Sequence, residues 1–359
     1  MFHGSPVRES MLERSMKKDD RKSIVMQSVP VDGSILPVRS VDVRRHLPMG
    51  ECIAMMEDVF RALAERRAVQ PLRHVVRIGD EGSLYVMPGF LRDDKASALA
   101  VKMVTLYPGN AGRGLESHQG AIVLFDASDG RVLALIEAGS VTAIRTAAVS
   151  GLATRLLALP DASDLALLGS GVQAESHLAA MLEVRPIRRV RVWSRTAARA
   201  TAFARRASAQ FGISVEPVDT AEAALRGATV VCTVTGSPAP ITRSEWIADG
   251  AHINAVGAST PTTREIDSAT VARASIVVDA RDAALAEAGD LLIPIGEGLV
   301  AADSLMELCD VVAGHVQPRT HPTQVTLFES LGLAVEDAAA ARAVYERALA
   351  AGAESVPFD

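Results

Sequence analysis

The chain has 359 residues, is 48% hydrophobic and 22% charged, and carries a formal net charge of −6, which is long and apolar enough for two domains with a large core and excludes a fibrous or wholly disordered chain. Its acidity, with no basic run interleaved with aromatics, argues against nucleic acid as a partner. No apolar segment approaches the roughly 18 residues that span a bilayer and the polar N-terminus of mixed charge holds no signal-peptide core, so no membrane association and a cytoplasmic location are expected.

Residues 1–35 mix Met, Ser, Lys, Arg and Asp without periodicity and read as a disordered tail. From Pro48 to Leu63 the spacing predicts a helix with the proline in its first turn, and Ile53, Met56, Phe60 and Leu63 share a face suited to the core. Between Pro71 and Ile136, short β-like runs alternate with Gly, Pro and Asp turns, the pattern of an antiparallel or mixed sheet. Within it, Lys102 interrupts the apolar run Ala98–Thr105; a buried ammonium there needs an anion, and otherwise the side chain must snorkel to water. Arg73, in Pro71-Leu72-Arg73-His74, is a weaker signal by itself.

Residues 141–158 predict an Ala-rich helix with Arg145 near its start. A cation at that end opposes the helix dipole, so Arg145 suits a ligand anion better than a stabilising role; the alternative is a surface ion pair. Then comes Leu165–Ala174, an apolar run ending in Gly169-Ser170-Gly171-Val172-Gln173-Ala174. Gly169 permits a tight turn, Gly171 lets a pyrophosphate approach the backbone, and Ala174 lets the following helix pack closely. The helical N–H groups then face the phosphates. A lone motif of this form is weak, but alternating strands and helices follow at 190–193, 197–211, 213–216, 221–226, 229–234, 252–256 and 276–279. Such alternation calls for a parallel sheet with ligand at the carboxyl ends of its strands.

After the second of these strands, where an NAD enzyme usually presents a carboxylate to the ribose, the chain has Ser194-Arg195-Thr196 and then Arg199. Hydroxyls and guanidinium groups suit a 2′-phosphate, so NADP(H) is favoured, with NAD(H) possible. Thr233, Val234, Thr235 and Val256 fall at later strand ends, where they can line ribose and nicotinamide or serve only as turn residues. The final Ala-rich helix is expected to return to the first domain. Cys52, Cys232 and Cys309 are too widely spaced to suggest a disulfide framework or metal cluster and read as core residues.

In order along the chain, the stretches Leu47–Gly50, Met87–Gly89, Val101–Thr105, Ser117–Gly120, Thr142–Ala148, Leu168–Ala174, Val192–Thr196, His252–Gly257, Arg264–Asp267 and Ser330–Asp337 resemble the ornithine cyclodeaminase/mu-crystallin family. The resemblance implies an α/β fold: a Rossmann dinucleotide-binding domain, 141–317, inserted in a discontinuous α+β substrate and dimerisation domain, 36–140 plus 318–359, in a homodimer. It implies that Arg73 and Lys102 hold a substrate carboxylate and that Arg145 lies between substrate and cofactor. It further implies cofactor contacts at Ser117, His118, Thr146, Gly169, Ser170, Gly171, Val172, Gln173 and Ser330. Where the cyclodeaminases carry an acid/base aspartate this chain has Ser259, as the ketimine reductase branch does. The activity so implied is NADPH-dependent reduction of a small cyclic ketimine carboxylate, with His118 or a water near Ser259 as proton source and no metal. Alternatives are a cyclodeaminase, an alanine- or opine-type amino acid dehydrogenase, and a ligand-binding protein without catalysis.

Overall fold

The computed structural model describes residues 33–93 and 97–358. The expected tail therefore lies outside the described residues, except for 33–35. The predicted β runs form a mixed sheet in the order Val356–Pro357, Ser34–Val38, Val132–Glu137, His118–Phe125, Ala98–Leu106, Gly82–Leu91, Ala68–Val69, with His74–Ile78 also paired to Gly82–Leu91. Only Ser34–Val38 and Val132–Glu137 run parallel. Along Ala98–Leu106 the buried positions are Ala98, Ala100, Lys102 and Val104, while Met103 faces out. Period-2 alternation thus turns Lys102 inward with the apolar residues.

The helices Met49–Ala64 and Ala334–Ala350 belong to the same unit. Gly89 allows the last helix to close down on the sheet, because a Cβ there would lie 2.8 Å from the Ala334 carbonyl carbon and 2.9 Å from the Val335 nitrogen.

The second sheet is wholly parallel, in the order Val215–Pro217, Arg189–Trp193, Asp164–Leu168, Val230–Thr233, His252–Ala255, Val325–Glu329, Ala274–Val278, Met306–Glu307. This corrects one expectation. The chain beyond 318 does not all return to the first domain, because Val325–Glu329 inserts between two strands of the parallel sheet before Ala334–Ala350 crosses back. Its five residues are all buried, which an interior strand of a two-sided sheet requires.

Joining the two sheets is the 20-residue helix Ala138–Leu157, capped by the Glu137 carboxylate on the Gly139 and Ser140 N–H groups. Its small residues permit close packing: Gly151 would place a Cβ 3.0 Å from Ile53 and 3.3 Å from Ala180 of the helices on either side. One continuous apolar cluster consequently runs from Ile122 and Ile136 through Val149 and Leu152 to Leu165, Val230 and Phe328, and a second lies on the other face of the parallel sheet with Ala166, Val231, Ile253 and Leu327. The helix starts earlier than the sequence suggests, which puts Arg145 in its third turn, beyond the reach of the terminal dipole.

Replacing Gly89 by alanine should lower stability by ~1–3 kcal/mol through overpacking against backbone that cannot yield. A denaturant midpoint equal to the parent's would show that the final helix can slide.

Candidate dinucleotide and carboxylate site

The Gly-rich turn forms as its sequence requires. Gly169 follows Asp164–Leu168 at φ +126°, donates to the Trp193 carbonyl at 2.8 Å, and leaves no room for a side chain against the Val234 carbonyl. Gly171 caps the helix Val172–Val184, and nothing lies within 4 Å of where its Cβ would be. The backbone is thus open to solvent above a helix N-terminus, which suits a pyrophosphate. Parallel register gathers the expected cofactor residues at one edge: Leu168 pairs with Trp193 and Thr233, Thr233 with Ala255, and Ala255 with Glu329. Gly169–Gln173, Ser194–Arg199, Thr233–Thr235, Val256 and Ser330 therefore sit at consecutive strand ends. Buried oxygens of Gln173 and Ser330 have no hydrogen-bond partner in the protein, as residues built to meet a bound polar group would.

The carboxylate side is built from ions. Lys102 is buried and its Nζ lies 2.6 Å from Asp337 Oδ2. Arg145, also buried, donates through Nε to Asp337 Oδ1 and through Nη1 to Glu336 Oε2, both at 2.9 Å. The alternative of an ion pair for Arg145 is thereby realised, but in the interior rather than at the surface. Both acids fall in the first turn of Ala334–Ala350, where the dipole favours negative charge. Gly332, at φ +82°, packs directly on the Arg145 guanidinium, and its N–H, with that of Leu331, donates to the buried Asp279 carboxylate.

Arg73 pairs with Glu287 at 2.6 Å, donates to the Ser259 carbonyl at 2.9 Å, and lies over the Tyr85 ring at 5.2 Å. Its buried Nε has no partner and remains available as a donor. A cleft of about 300 Å³ opens here, lined by Gln70, Arg73, Met87, Glu287, Gly332 and Leu333 among others. Ser117 and His118 begin the neighbouring strand, with Ser117 Oγ 3.0 Å from His118 Nδ1. His118 is exposed over much of its surface, yet packing around its ring and then the Lys102 charge hold the imidazole below its ordinary pKa. Thr146, next to Arg145, is buried.

The chain belongs to the ornithine cyclodeaminase/mu-crystallin family. Its family model matches residues 37–352. The mouse ketimine reductase mu-crystallin is 42% identical over 77% of this chain and 85% of its own. The structure of Thermococcus litoralis Delta(1)-pyrroline-2-carboxylate reductase in complex with NADH and L-proline superposes with a TM-score of 0.86 at 37% identity, covering 89% of this chain and 99% of the other. An archaeal alanine dehydrogenase dimer with bound NAD superposes at 0.85 with 30% identity, over 91% of this chain and 100% of that one.

In this member of the family, sequence reasoning located the cations but missed their acids. Asp337 and Glu336 lie in the stretch Ser330–Asp337 that carried the resemblance, 192 and 191 residues from Arg145. The only local signal is two carboxylates opening an Ala-rich helix, which reads as ordinary dipole compensation. Glu287 and Asp279 gave no signal.

Burial pulls Lys102 down to about 8, against the opposing pull of Asp337, and pushes Glu336 up to about 8, against Arg145. Below that pH Lys102 keeps its proton and Glu336 is uncharged, and both favour a substrate anion. Above it, Lys102 loses its proton and Glu336 gains a charge, and both changes remove the attraction. The KM for a carboxylate substrate should therefore rise with pH through about 8; a KM flat to pH 10 would contradict this charge balance. Lys102→Ala should raise that KM by roughly 10- to 100-fold and lower turnover, the loss of one charge-assisted hydrogen bond. Parent-like kinetics in that variant would show that Lys102 does not hold the carboxylate.

Proposed function

We propose that the protein reduces a small cyclic ketimine carboxylate, such as pyrroline-2-carboxylate or piperideine-2-carboxylate, to the cyclic L-amino acid with NADPH. The observation that carries this reading is the buried cluster of Lys102 and Arg145 with their acids, set beside a dinucleotide turn and an arginine with a free donor. The donor set fits the cofactor: an open glycine turn, a helix N-terminus and unpartnered buried oxygens. The reduced nicotinamide supplies the hydride.

The protein's own residues then bind, orient and charge the substrate. Arg73 through Nε and Lys102 through N–H groups not used by Asp337 hold the carboxylate, which fixes the position of the C=N carbon. Ser259, half-buried and held through its carbonyl by Arg73, brings no carboxylate to the imine, so nothing in its place can perform a cyclodeaminase's acid/base step. A protonated imine is the better hydride acceptor, so the substrate arrives as iminium or takes its proton from His118 or a water beside Ser259.

Arg195 and Arg199 are exposed and make no ion pair among the described residues, and the first turn of Ala197–Phe211 has no acid. This supports a 2′-phosphate and hence NADPH over NADH. The side of the first sheet opposite Lys102 carries Val76, Met103 and Leu135, each more than a third exposed. Such an apolar sheet face supports pairing of two copies through it. Among the described residues no helix is long and apolar enough to cross a membrane, and the three cysteines are free, which suits a reducing compartment such as the cytoplasm.

Following NADPH and NADH absorbance against cyclic imines, keto acids with amines, and ornithine with NAD tests the reading. Oxidation of NADPH with a cyclic imine is expected. Ammonia release from ornithine would reinstate a cyclodeaminase, and tight NADPH binding without oxidation by any imine would favour a binding role. Replacing Arg195 and Arg199 together by alanine should raise the KM for NADPH by roughly 10- to 100-fold and leave that for NADH unchanged. Equal effects on both cofactors would remove the phosphate assignment.

A further inference from the structure

The stretch Arg264–Asp267 helped identify the family, yet neither clamp nor cofactor turn uses it. Most of it has a plain structural duty. Asp267 caps the helix Ser268–Arg273 on the Thr270 N–H, Ile266 is buried in the apolar core, and Arg264 donates to Ser268 at 2.8 Å. Glu265 is different. It is fully buried, and its carboxylate reaches two separate loops: Oε1 accepts the Thr235 N–H at 2.7 Å and the Thr235 hydroxyl at 2.5 Å, while Oε2 accepts the Gly257 N–H at 2.8 Å. Thr235 and Gly257 leave adjacent parallel strands, Val230–Thr233 and His252–Ala255.

Glu265 is itself held rigidly. Its N–H and that of Ile266 donate to Asp290 Oδ1 at 2.8 and 2.7 Å, and its carbonyl accepts from Ile241 at 2.8 Å. A side chain on Gly257 would run into both the Thr235 carbonyl and the Glu265 carboxylate, so the loops touch backbone to backbone. The contacts continue on either side. Val234, one residue before Thr235, places its carbonyl against Gly169 of the dinucleotide turn. Ser259, two residues after Gly257, gives its carbonyl to Arg73.

A buried carboxylate costs several kcal/mol in desolvation, and apolar packing would join two loops more cheaply. What a carboxylate adds is two acceptor oxygens on one rigid plane, which fix how far apart the donors lie and how they are oriented. We propose that Glu265 is a positioning residue for hydride transfer: by gathering Thr235 and Gly257 it sets the dinucleotide turn and the Ser259–Arg73 contact at a fixed separation, without touching substrate or cofactor. The proposal rests on the reading of these strand ends as the dinucleotide site.

The test compares Glu265→Gln, Glu265→Asp and Thr235→Val with the parent in the full chain. It measures the Kd for NADPH by fluorescence without substrate, kcat and KM with pyrroline-2-carboxylate, and the melting temperature. Glutamine offers one acceptor oxygen and turns an amide N–H toward the second loop's donor. It should raise the Kd for NADPH by about tenfold or more and lower kcat at saturating cofactor, with a melting temperature close to the parent's. Aspartate keeps both acceptors on a shorter arm and should recover part of both losses. Thr235→Val, which removes the hydroxyl that donates to Glu265 and accepts the Ser237 N–H, should move Kd and kcat in the same direction by less, and it carries the test should the glutamine variant not fold. Parent-like Kd and kcat in either glutamine or valine variant would overturn the proposal, as would losses that aspartate does not reduce. Failure of the reductase reading would appear separately, as a parent that binds NADPH but oxidises none with the imine, while the Kd comparison still reports on Glu265.

Discussion

Lys102, Asp337, Arg145 and Glu336 form the contact on which the rest of the molecule depends. Each comes with a different commitment. Lys102 belongs to a strand of the first sheet, Arg145 to the helix that joins the two sheets, and both acids to the final helix. A buried lysine or arginine alone would be prohibitive, and a fully compensated set would have no attraction left for a ligand. Burial raises the pKa of Glu336 to about 8, so at neutral pH its carboxyl weighs less against the two cations. The same group of side chains therefore gathers three elements at one place.

That place is useful because of what adjoins it. The helix Ala138–Leu157 carries Arg145 and Thr146 and also packs between the two layers, so the cation cluster is held in fixed relation to the carboxyl ends of the parallel strands. Asp279 ties the loop at Leu331 and Gly332 over Arg145, and Glu265 ties the loops at Thr235 and Gly257 beside the glycine turn. Burial pushes Asp279 to about 6 and Glu265 to about 7, a measure of how much desolvation these anchors tolerate. Recurrent use of carboxylates to gather backbone N–H groups gives the site rigid walls without filling it with side chains.

How much of this was legible depended on the range of the interaction involved. The turn at Gly169, the alternating burial along Ala98–Leu106 and the Met-rich core face with Ile53, Met56 and Phe60 were readable because each follows from residues a few positions apart. Lys102 was conspicuous because a charge broke an apolar strand. Arg145 was singled out for the wrong reason: its helix begins earlier than expected, and its environment is set by acids 191 and 192 residues away rather than by the helix end. The sequence reading placed all of 318–359 with the first domain and named no strand at Val325–Glu329, because its apolar run fits either sheet and only pairing with His252–Ala255 and Ala274–Val278 decides between them.

The sequence by itself determined the local chemistry: which segments are strands or helices, where glycine leaves the backbone open, and which cations stand in apolar surroundings that demand a partner. Tertiary structure alone decided who those partners are. Charges and hydrogen bonds act over a few ångströms of space regardless of chain separation, so Asp337, Glu287, Asp279 and Glu265 acquired their roles only when distant segments were packed against the cations and loops they hold.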